Sequence, residues 1–109
     1  DPDLSASLGR VVPGAHMGVV YAQTKGPRIE TVAEVKALAR VADLVGMTLA
    51  TEATLACELG MPFAALCTVD NYAHGLGGDA PTWEHILEAS RAHADRTGSI
   101  VEKIIEVMG

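Results

Sequence analysis

Aromatic side chains are scarce in this 109-residue chain: they make up 4% of the residues, although 49% are hydrophobic. The interior must therefore be built from Ala, Val, Leu, Ile and Met, a mixture that suits helices packed on a sheet. A chain of this length fits one small domain, residues 1–109, that can bury roughly two thirds of its unfolded surface. These features predict a single α/β domain with a modest core.

The chain also lacks an excess of positive charge. Its eight Lys and Arg residues are scattered and its formal net charge is −6, which argues against an electrostatic footprint for nucleic acid or an anionic membrane. No apolar run approaches the roughly 20 residues of a membrane span, and the N-terminus has no signal-peptide pattern. We therefore expect small-molecule or protein partners, no nucleic acid, no membrane and a cytoplasmic location.

Cysteine is rare as well, and histidine is not clustered. Cys57 and Cys67 are the two cysteines, and each lies in an apolar pattern. Free Cys packs as a small hydrophobe, so we interpret both as reduced core thiols, with a disulfide or a metal site as the alternatives. We expect no metal site, because no zinc-ligand spacing with Cys or a carboxylate is found around the four histidines, which are His16, His74, His85 and His93.

Strand-like and loop-like segments alternate along the chain. Residues 1–15 are punctuated by Gly and Pro, which predicts a loose arm with at most one helical turn. Short β-rich or apolar runs predict strands at 17–23, 43–48 and 61–69. Residues 70–81 are rich in glycine and predict a loop.

Three helical patterns lie between and after these strands. Thr31 and Glu34 have the spacing of a capping box and open a predicted helix over about 32–41. A second helix is predicted to begin at Thr51 and to be capped by Gly60, with its apolar residues facing inward: Leu55, Ala56 and Leu59. A third begins after Thr82, and Gly98 makes a break in it possible.

In an open parallel sheet, ligands bind beyond the carboxyl ends of the strands. Those ends are predicted at residues 23–30, 47–51 and 70–74. Three short stretches fall there: Gly-Pro-Arg-Ile-Glu-Thr at 26–31, Val-Gly-Met-Thr at 45–48 and Asp-Asn-Tyr at 70–72. We therefore expect a binding site at this edge.

In this order, the three stretches resemble the second half of the purine nucleoside phosphorylase and methylthioadenosine phosphorylase family. The resemblance covers most of residues 16–107 and implies the C-terminal portion of such an enzyme, whose fold is a mixed twisted sheet flanked by helices. It implies phosphorolysis of purine nucleosides, of the 6-oxopurine or 5′-methylthio type, to free base and ribose-1-phosphate. Inorganic phosphate would be the co-substrate and no cofactor is expected. A homo-oligomer, a trimer or a hexamer, is implied as well.

The resemblance assigns three residues to the purine base. Glu30 stands at the position of the carboxylate that accepts a hydrogen bond from purine N1–H. Ile29 replaces the usual Phe and keeps an apolar wall there. Asn71 stands where an amide that donates to O6 and bonds N7 goes with 6-oxopurine nucleosides. Asp70 replaces the Thr usual before this position, and a slip of one residue would exchange the two assignments.

Three further residues are assigned to the rest of the nucleoside and to phosphate. Met47 stands at the ribose position, Thr48 offers a hydroxyl to phosphate, and Trp83 stands where the 5′-group is contacted. The family's other phosphate-binding loops belong to its N-terminal half and have no counterpart in this chain. Most of the phosphate charge is therefore expected to be met elsewhere. Thr51 departs from the family, which has Pro there.

Each assignment has a simpler alternative. Glu30 can be an acidic residue favoured near a helix N-terminus, Asn71 a turn residue that bonds its own backbone, and Thr48 a helix cap. Met47 and Trp83 can serve packing alone. At the level of function, the alternative is a non-catalytic nucleoside-binding or assembly module derived from this family.

Overall fold

The computed structural model describes residues 1–78 and 82–109 of the chain. Helices and two short strands alternate in the first part of the chain, and a long helix completes it. In chain order, the elements are α1 (Pro2–Val11), β1 (Tyr21–Gln23), α2 (Val32–Leu38), β2 (Leu44–Gly46), α3 (Leu49–Glu58) and α4 (Trp83–Met108). Helix α1 contacts α4, and α3 contacts β1.

The two strands form a small parallel sheet in which Tyr21 pairs with Leu44 and Gln23 with Gly46. Both lie inside the predicted strands, which are confirmed in kind but are shorter than predicted. The side chain of Asp43 sets the start of the pair, because its Oδ2 accepts from the Val20 amide at 2.8 Å. The Val20 carbonyl in turn accepts from the amides of Asp43 and Leu44, at 2.8 and 3.1 Å.

The strand predicted at 61–69 is absent from the described chain, and that prediction is wrong. The apolar run indicates burial, but a strand also requires a neighbour that supplies backbone hydrogen bonds. The described ladder joins only β1 and β2. Residues 61–69 therefore have the composition of a buried strand but no neighbouring strand with which to form backbone hydrogen bonds in the described chain.

The loose arm predicted at residues 1–15 is also wrong, because ten of these residues form α1. The carboxylate of Asp1 accepts from the amides of Asp3 and Leu4, at 3.0 and 2.9 Å. Pro2 follows in the first turn, where its missing N–H costs nothing. Asp-Pro is thus a helix start signal that outweighs the single glycine inside the helix.

The capping box of α2 is confirmed. Thr31 accepts from the Glu34 amide at 3.2 Å, and the Glu34 carboxylate accepts from the Thr31 amide at 2.7 Å. Two orphan donors of the helix start are satisfied in this reciprocal way. The inward face of α2 carries Val35, a buried hydrophobic residue with 3% of its surface exposed.

Helix α3 begins at Leu49, two residues before the predicted start. Gly60 ends it with φ +63°, in the left-handed region that glycine favours, which confirms the predicted cap. Its apolar residues do not pack as predicted, because Leu55 and Leu59 are exposed and Ala56 is half-buried. Elements that could cover this face are lacking in the described chain.

Two further expectations have mixed outcomes. Cys57 and Cys67 are free thiols, as predicted, but both are exposed and neither is a core residue. Helix α4 runs without interruption through Gly98, so no break forms there. Within the described residues, no helix combines the length and the apolar character needed to cross a membrane.

Gly46 provides a test of how tightly the sheet is packed. A Cβ at Gly46 would lie 2.8 Å from Cζ of the Tyr21 ring, whereas a Cβ at Gly98 would meet no atom within 4 Å. Gly46→Ala should therefore lower the free energy of unfolding by about 1–3 kcal/mol, as expected for overpacking. Gly98→Ala is the matched control and should raise it by about 0.5–1 kcal/mol, since Ala is favoured in a helix interior. Urea denaturation of both variants measures the difference, and equal stabilities would contradict the packing described.

Candidate functional site

The carboxyl ends of β1 and β2 lie side by side because the strands are parallel. The ladder continues one residue beyond β1, where the Thr24 amide donates to the Gly46 carbonyl at 2.8 Å. The segments that follow, 24–31 and 47–51, therefore leave the same edge of the sheet. The prediction of a shared edge is confirmed for these two strand ends.

Glu30 is the buried charged residue of this edge, with 8% of its surface exposed. The hydroxyl of Thr24 donates a hydrogen bond to its Oε1. No hydrogen bond to its Oε2 is found from the described residues. The carboxylate is thus held by one oxygen and keeps its second oxygen as an acceptor.

The segment that carries Glu30 is anchored to α2 by an ion pair. Both terminal nitrogens of Arg28 donate to the Glu34 carboxylate, at 2.8 and 2.6 Å. The bidentate bond from Arg28, with the bonds from Thr31, lowers the pKa of Glu34 to about 2. The same pairing raises the pKa of Arg28. Glu34 therefore ties both ends of the 28–31 turn, with Glu30 between them.

His74 connects the loop after residue 70 to this segment. Its Nδ1 donates to the Glu30 carbonyl oxygen at 3.2 Å, and the two residues are 44 positions apart in the chain. The carbonyl can only accept, so the hydrogen must lie on Nδ1. This contact brings the third predicted strand end next to the first, although the strand itself is absent. His74 is one of the four histidines for which no metal site is expected, and its contact with Glu30 is not predicted from the sequence.

Asn71 and Trp83 are exposed, and no described hydrogen bond joins either to Glu30, Met47 or Thr48. Asn71 Nδ2 donates to the Tyr72 carbonyl at 2.7 Å, a local bond of the kind expected for a turn residue. Trp83 is the first residue of α4 and is 68% exposed. Thr82 caps that helix by accepting from the His85 amide at 3.3 Å. The loop residues 79–81 lie outside the described residues.

Met47 lies across the turn that begins at Gly26. A Cβ at Gly26 would approach Met47 Sδ to 2.6 Å, so the absence of a side chain at Gly26 lets the thioether lie there. Met47 still exposes 36% of its surface. Ile29, also in this turn, is exposed. Both therefore offer apolar surface next to the Glu30 segment.

Thr48 precedes α3, yet its side chain makes no cap hydrogen bond. The acceptor at this helix start is Gln23, the last residue of β1. Gln23 Oε1 accepts from the Ala50 amide at 2.5 Å, and its Nε2 donates to Thr51 Oγ1 at 3.3 Å. Sequence reasoning missed Gln23; the available signal was a polar residue at the strand end opposite the helix start.

Two cavities of the described structure differ in their relation to these residues. A pocket of about 390 Å³ opens beside Glu30, between the 24–30 turn and α2. A larger, mostly apolar cavity of about 640 Å³ lies between α1, α4 and the sheet. It is lined by none of the six residues assigned from the sequence. Of the six, Glu30 alone lines the smaller pocket, and we take that pocket as the relevant one because it contains the buried carboxylate.

The comparisons with known proteins give the family. Residues 6–106 match the model of the phosphorylase superfamily, and the chain belongs to this superfamily. It is similar to a probable 6-oxopurine nucleoside phosphorylase of Archaeoglobus fulgidus, with 45% identity over 80% of the chain and 36% of that protein. It is also similar to a probable S-methyl-5′-thioinosine phosphorylase of Methanopyrus kandleri, with 37% identity over 82% of the chain and 35% of that protein.

A probable 6-oxopurine nucleoside phosphorylase of Moorella thermoacetica shares 43% identity over 68% of the chain and 29% of its own length. The chain thus spans about a third of the length of the curated relatives it matches. The resemblance of the three strand-end stretches to nucleoside phosphorylases is therefore confirmed at the level of the family.

The lowered pKa of Glu34 predicts how stability depends on pH. The folded pKa of about 2 lies below the ordinary value of 4.5, so the stabilisation is complete above about pH 4.5 and is lost as pH falls toward 2. Glu34→Gln should therefore show a shallower loss of stability over this window than the unchanged protein. Glu102→Gln, at an exposed position of α4, is the control and should keep the original slope. Chemical denaturation at several pH values measures both, and parallel curves for all three proteins would refute the role of Glu34.

Proposed function

We propose that this chain supplies the base-binding and ribose-binding side of a purine nucleoside phosphorylase. The reaction is the phosphorolysis of a 6-oxopurine nucleoside to free base and ribose-1-phosphate, with inorganic phosphate as co-substrate. In the complete protein, the sheet would extend beyond β1 and β2 into a mixed twisted sheet flanked by helices. A trimer or hexamer in the cytoplasm is the assembly we propose.

Glu30 is the observation that supports this proposal most directly. A carboxylate with 8% exposure loses much of its hydration, which must be replaced by hydrogen bonds. Thr24 supplies one bond at Oε1, Oε2 accepts none from the described residues, and Glu30 lines an open pocket. A donor such as the N1–H of a 6-oxopurine fits this requirement.

The names of the relatives support a 6-oxopurine as the base. Both 6-oxopurine nucleosides and S-methyl-5′-thioinosine carry a 6-oxopurine, and they differ at the 5′ position. We therefore propose Glu30 and Asn71 as the pair that reads the base, with Ile29 as an apolar wall. Asn71 would exchange its local bond to Tyr72 for bonds to O6 and N7.

The chemical step follows from this arrangement. A phosphate oxygen attacks C1′, the bond from C1′ to N9 breaks, and its electron pair passes to the purine. The transition state has oxocarbenium character at the ribose and growing negative charge on the base. Donation by Asn71 stabilises that charge where it develops, while Glu30 fixes the base by accepting from N1–H. Met47 would contact the ribose, and Thr48 would donate one hydroxyl to the phosphate.

The proposed activity is tested by phosphate-dependent release of hypoxanthine. The complete protein should release the base from inosine or 5′-methylthioinosine with phosphate, and release should stop when phosphate is omitted. Ribose-1-phosphate, or its methylthio derivative, should appear in equal amount. Binding of nucleoside without any release would instead support the non-catalytic module.

Asn71→Asp tests the reading of the base. The carboxylate cannot donate to O6, so kcat/KM for inosine should fall by roughly 10- to 1,000-fold, and the preference should shift toward adenosine. Asp70→Asn is the matched control, one position earlier, and should leave the ratio of the two substrates unchanged. A ratio that responds to Asp70→Asn and not to Asn71→Asp would transfer the role to Asp70.

Trp83→His tests the 5′ pocket. The indole offers a large apolar surface and a single N–H donor, so 5′-methylthioinosine should be preferred over inosine, whose 5′-hydroxyl loses solvation there. His should shift the preference toward inosine by about 5-fold, since one methylene-sized group contributes about 1 kcal/mol. Trp83→Phe keeps the apolar surface and should preserve the preference. Equal use of both nucleosides by all three proteins would show that Trp83 serves packing alone.

A further inference from the structure

Three helices of the described chain begin after a threonine, and one of these threonines behaves differently. Thr31 and Thr82 cap α2 and α4 with their side chains and have extended backbones, with ψ of 159° in both. Thr48 has φ −129° and ψ −40°, and its side chain accepts no bond from α3. The difference cannot arise from residue type, because all three residues are the same.

Gln23 explains the difference. In the first turn of α3, the Ala50 amide is one of the donors that an N-cap side chain normally satisfies. Gln23 Oε1 accepts from this amide at 2.5 Å from the end of β1. The helix start is therefore capped by a neighbouring strand, and the backbone of Thr48 is free to leave the capping conformation.

The amide of Gln23 is held from its other side as well. Its Nε2 donates to Thr51 Oγ1 at 3.3 Å, so the side chain forms hydrogen bonds with two successive residues of the first turn of α3. Thr51 stands where the family resemblance has Pro, which has no hydroxyl and could not accept this bond. The bond from Gln23 thus gives a structural role to Thr51, which replaces the Pro of the family.

We infer that Gln23 is a positioning residue for phosphate: by capping α3 in place of Thr48, it leaves the Thr48 hydroxyl to the ligand. The inference rests on the proposed function, in which Thr48 donates to phosphate. Without Gln23, the Ala50 amide loses its partner and Thr48 turns toward the extended capping conformation of Thr31 and Thr82. Its hydroxyl then faces the helix, and phosphate must compete with the cap for it.

Gln23→Leu in the complete protein tests this competition. The stabilisation typical of an N-cap corresponds to about a 2- to 30-fold change in an equilibrium constant. The KM for inorganic phosphate, measured at saturating inosine, should therefore rise by that factor, while the KM for inosine stays the same. Thr51→Val loosens Gln23 without removing it and should give a smaller rise in the phosphate KM. Thr54→Val is the control within α3, since the bond of the Thr54 hydroxyl among the described residues goes to the Ala50 carbonyl, and it should change neither KM.

A double substitution distinguishes positioning from general damage. In a Thr48→Ala background there is no hydroxyl to divert, so adding Gln23→Leu should leave the phosphate KM unchanged. An equal rise in both backgrounds, or no rise in the single variants, would overturn the inference. If Gln23→Leu fails to fold, Thr51→Val in the two backgrounds gives the same comparison.

Calorimetric titration with inorganic phosphate, without nucleoside, separates this inference from the proposed function. Phosphate binding that Gln23→Leu weakens, in a protein without phosphorolysis, would support the inference and contradict the proposed activity. Normal phosphorolysis with an unchanged phosphate affinity in Gln23→Leu would support the proposed activity and contradict the inference. Absence of both phosphate binding and turnover in the unchanged protein would refute both.

Discussion

The parallel pairing of β1 with β2 is the constraint on which the rest of the site depends. Because the strands run in the same direction, the segments that follow Gln23 and Gly46 leave the sheet side by side. The hydrogen bond from the Val20 amide to the Asp43 carboxylate sets where the pairing begins. The strand register then fixes which residues lie opposite each other at the carboxyl ends of the strands. A shift of one residue would place Gln23 out of reach of α3.

The carboxylates of Glu30 and Glu34 have different roles because their surroundings differ. Glu34 is partly exposed and is satisfied by Arg28 and Thr31, so it closes the 28–31 turn onto α2. Glu30 lies inside that turn, is buried, and is bonded at one oxygen by Thr24. The ion pair outside the turn therefore holds in place a carboxylate inside it, one oxygen of which accepts no hydrogen bond from the described residues.

The helix starts differ in how much of them could be predicted. The capping box of Thr31 and Glu34 is predicted correctly because its partners are three residues apart and each side chain bonds the other residue's backbone. The start of α3 was placed two residues late because its acceptor, Gln23, comes from 27 residues earlier in the chain. The start of α1 is not predicted, although Asp1 and Pro2 are local signals, because the glycine and proline content of residues 1–15 indicates a loop.

By itself, the sequence determined the features that depend on near neighbours: the N-terminal cap of α2, the glycine that ends α3, the positions of β1 and β2 along the chain, and the order of the three strand-end stretches by which the family is identified. Only the tertiary structure decided which side chains meet across the sheet edge, such as His74 on the Glu30 carbonyl and Gln23 on the first turn of α3. It also decided that residues 61–69 form no strand in the described chain. The physical reason is that propensity and capping act over a few residues, whereas strand pairing and long-range hydrogen bonds require a partner whose position only the folded backbone supplies.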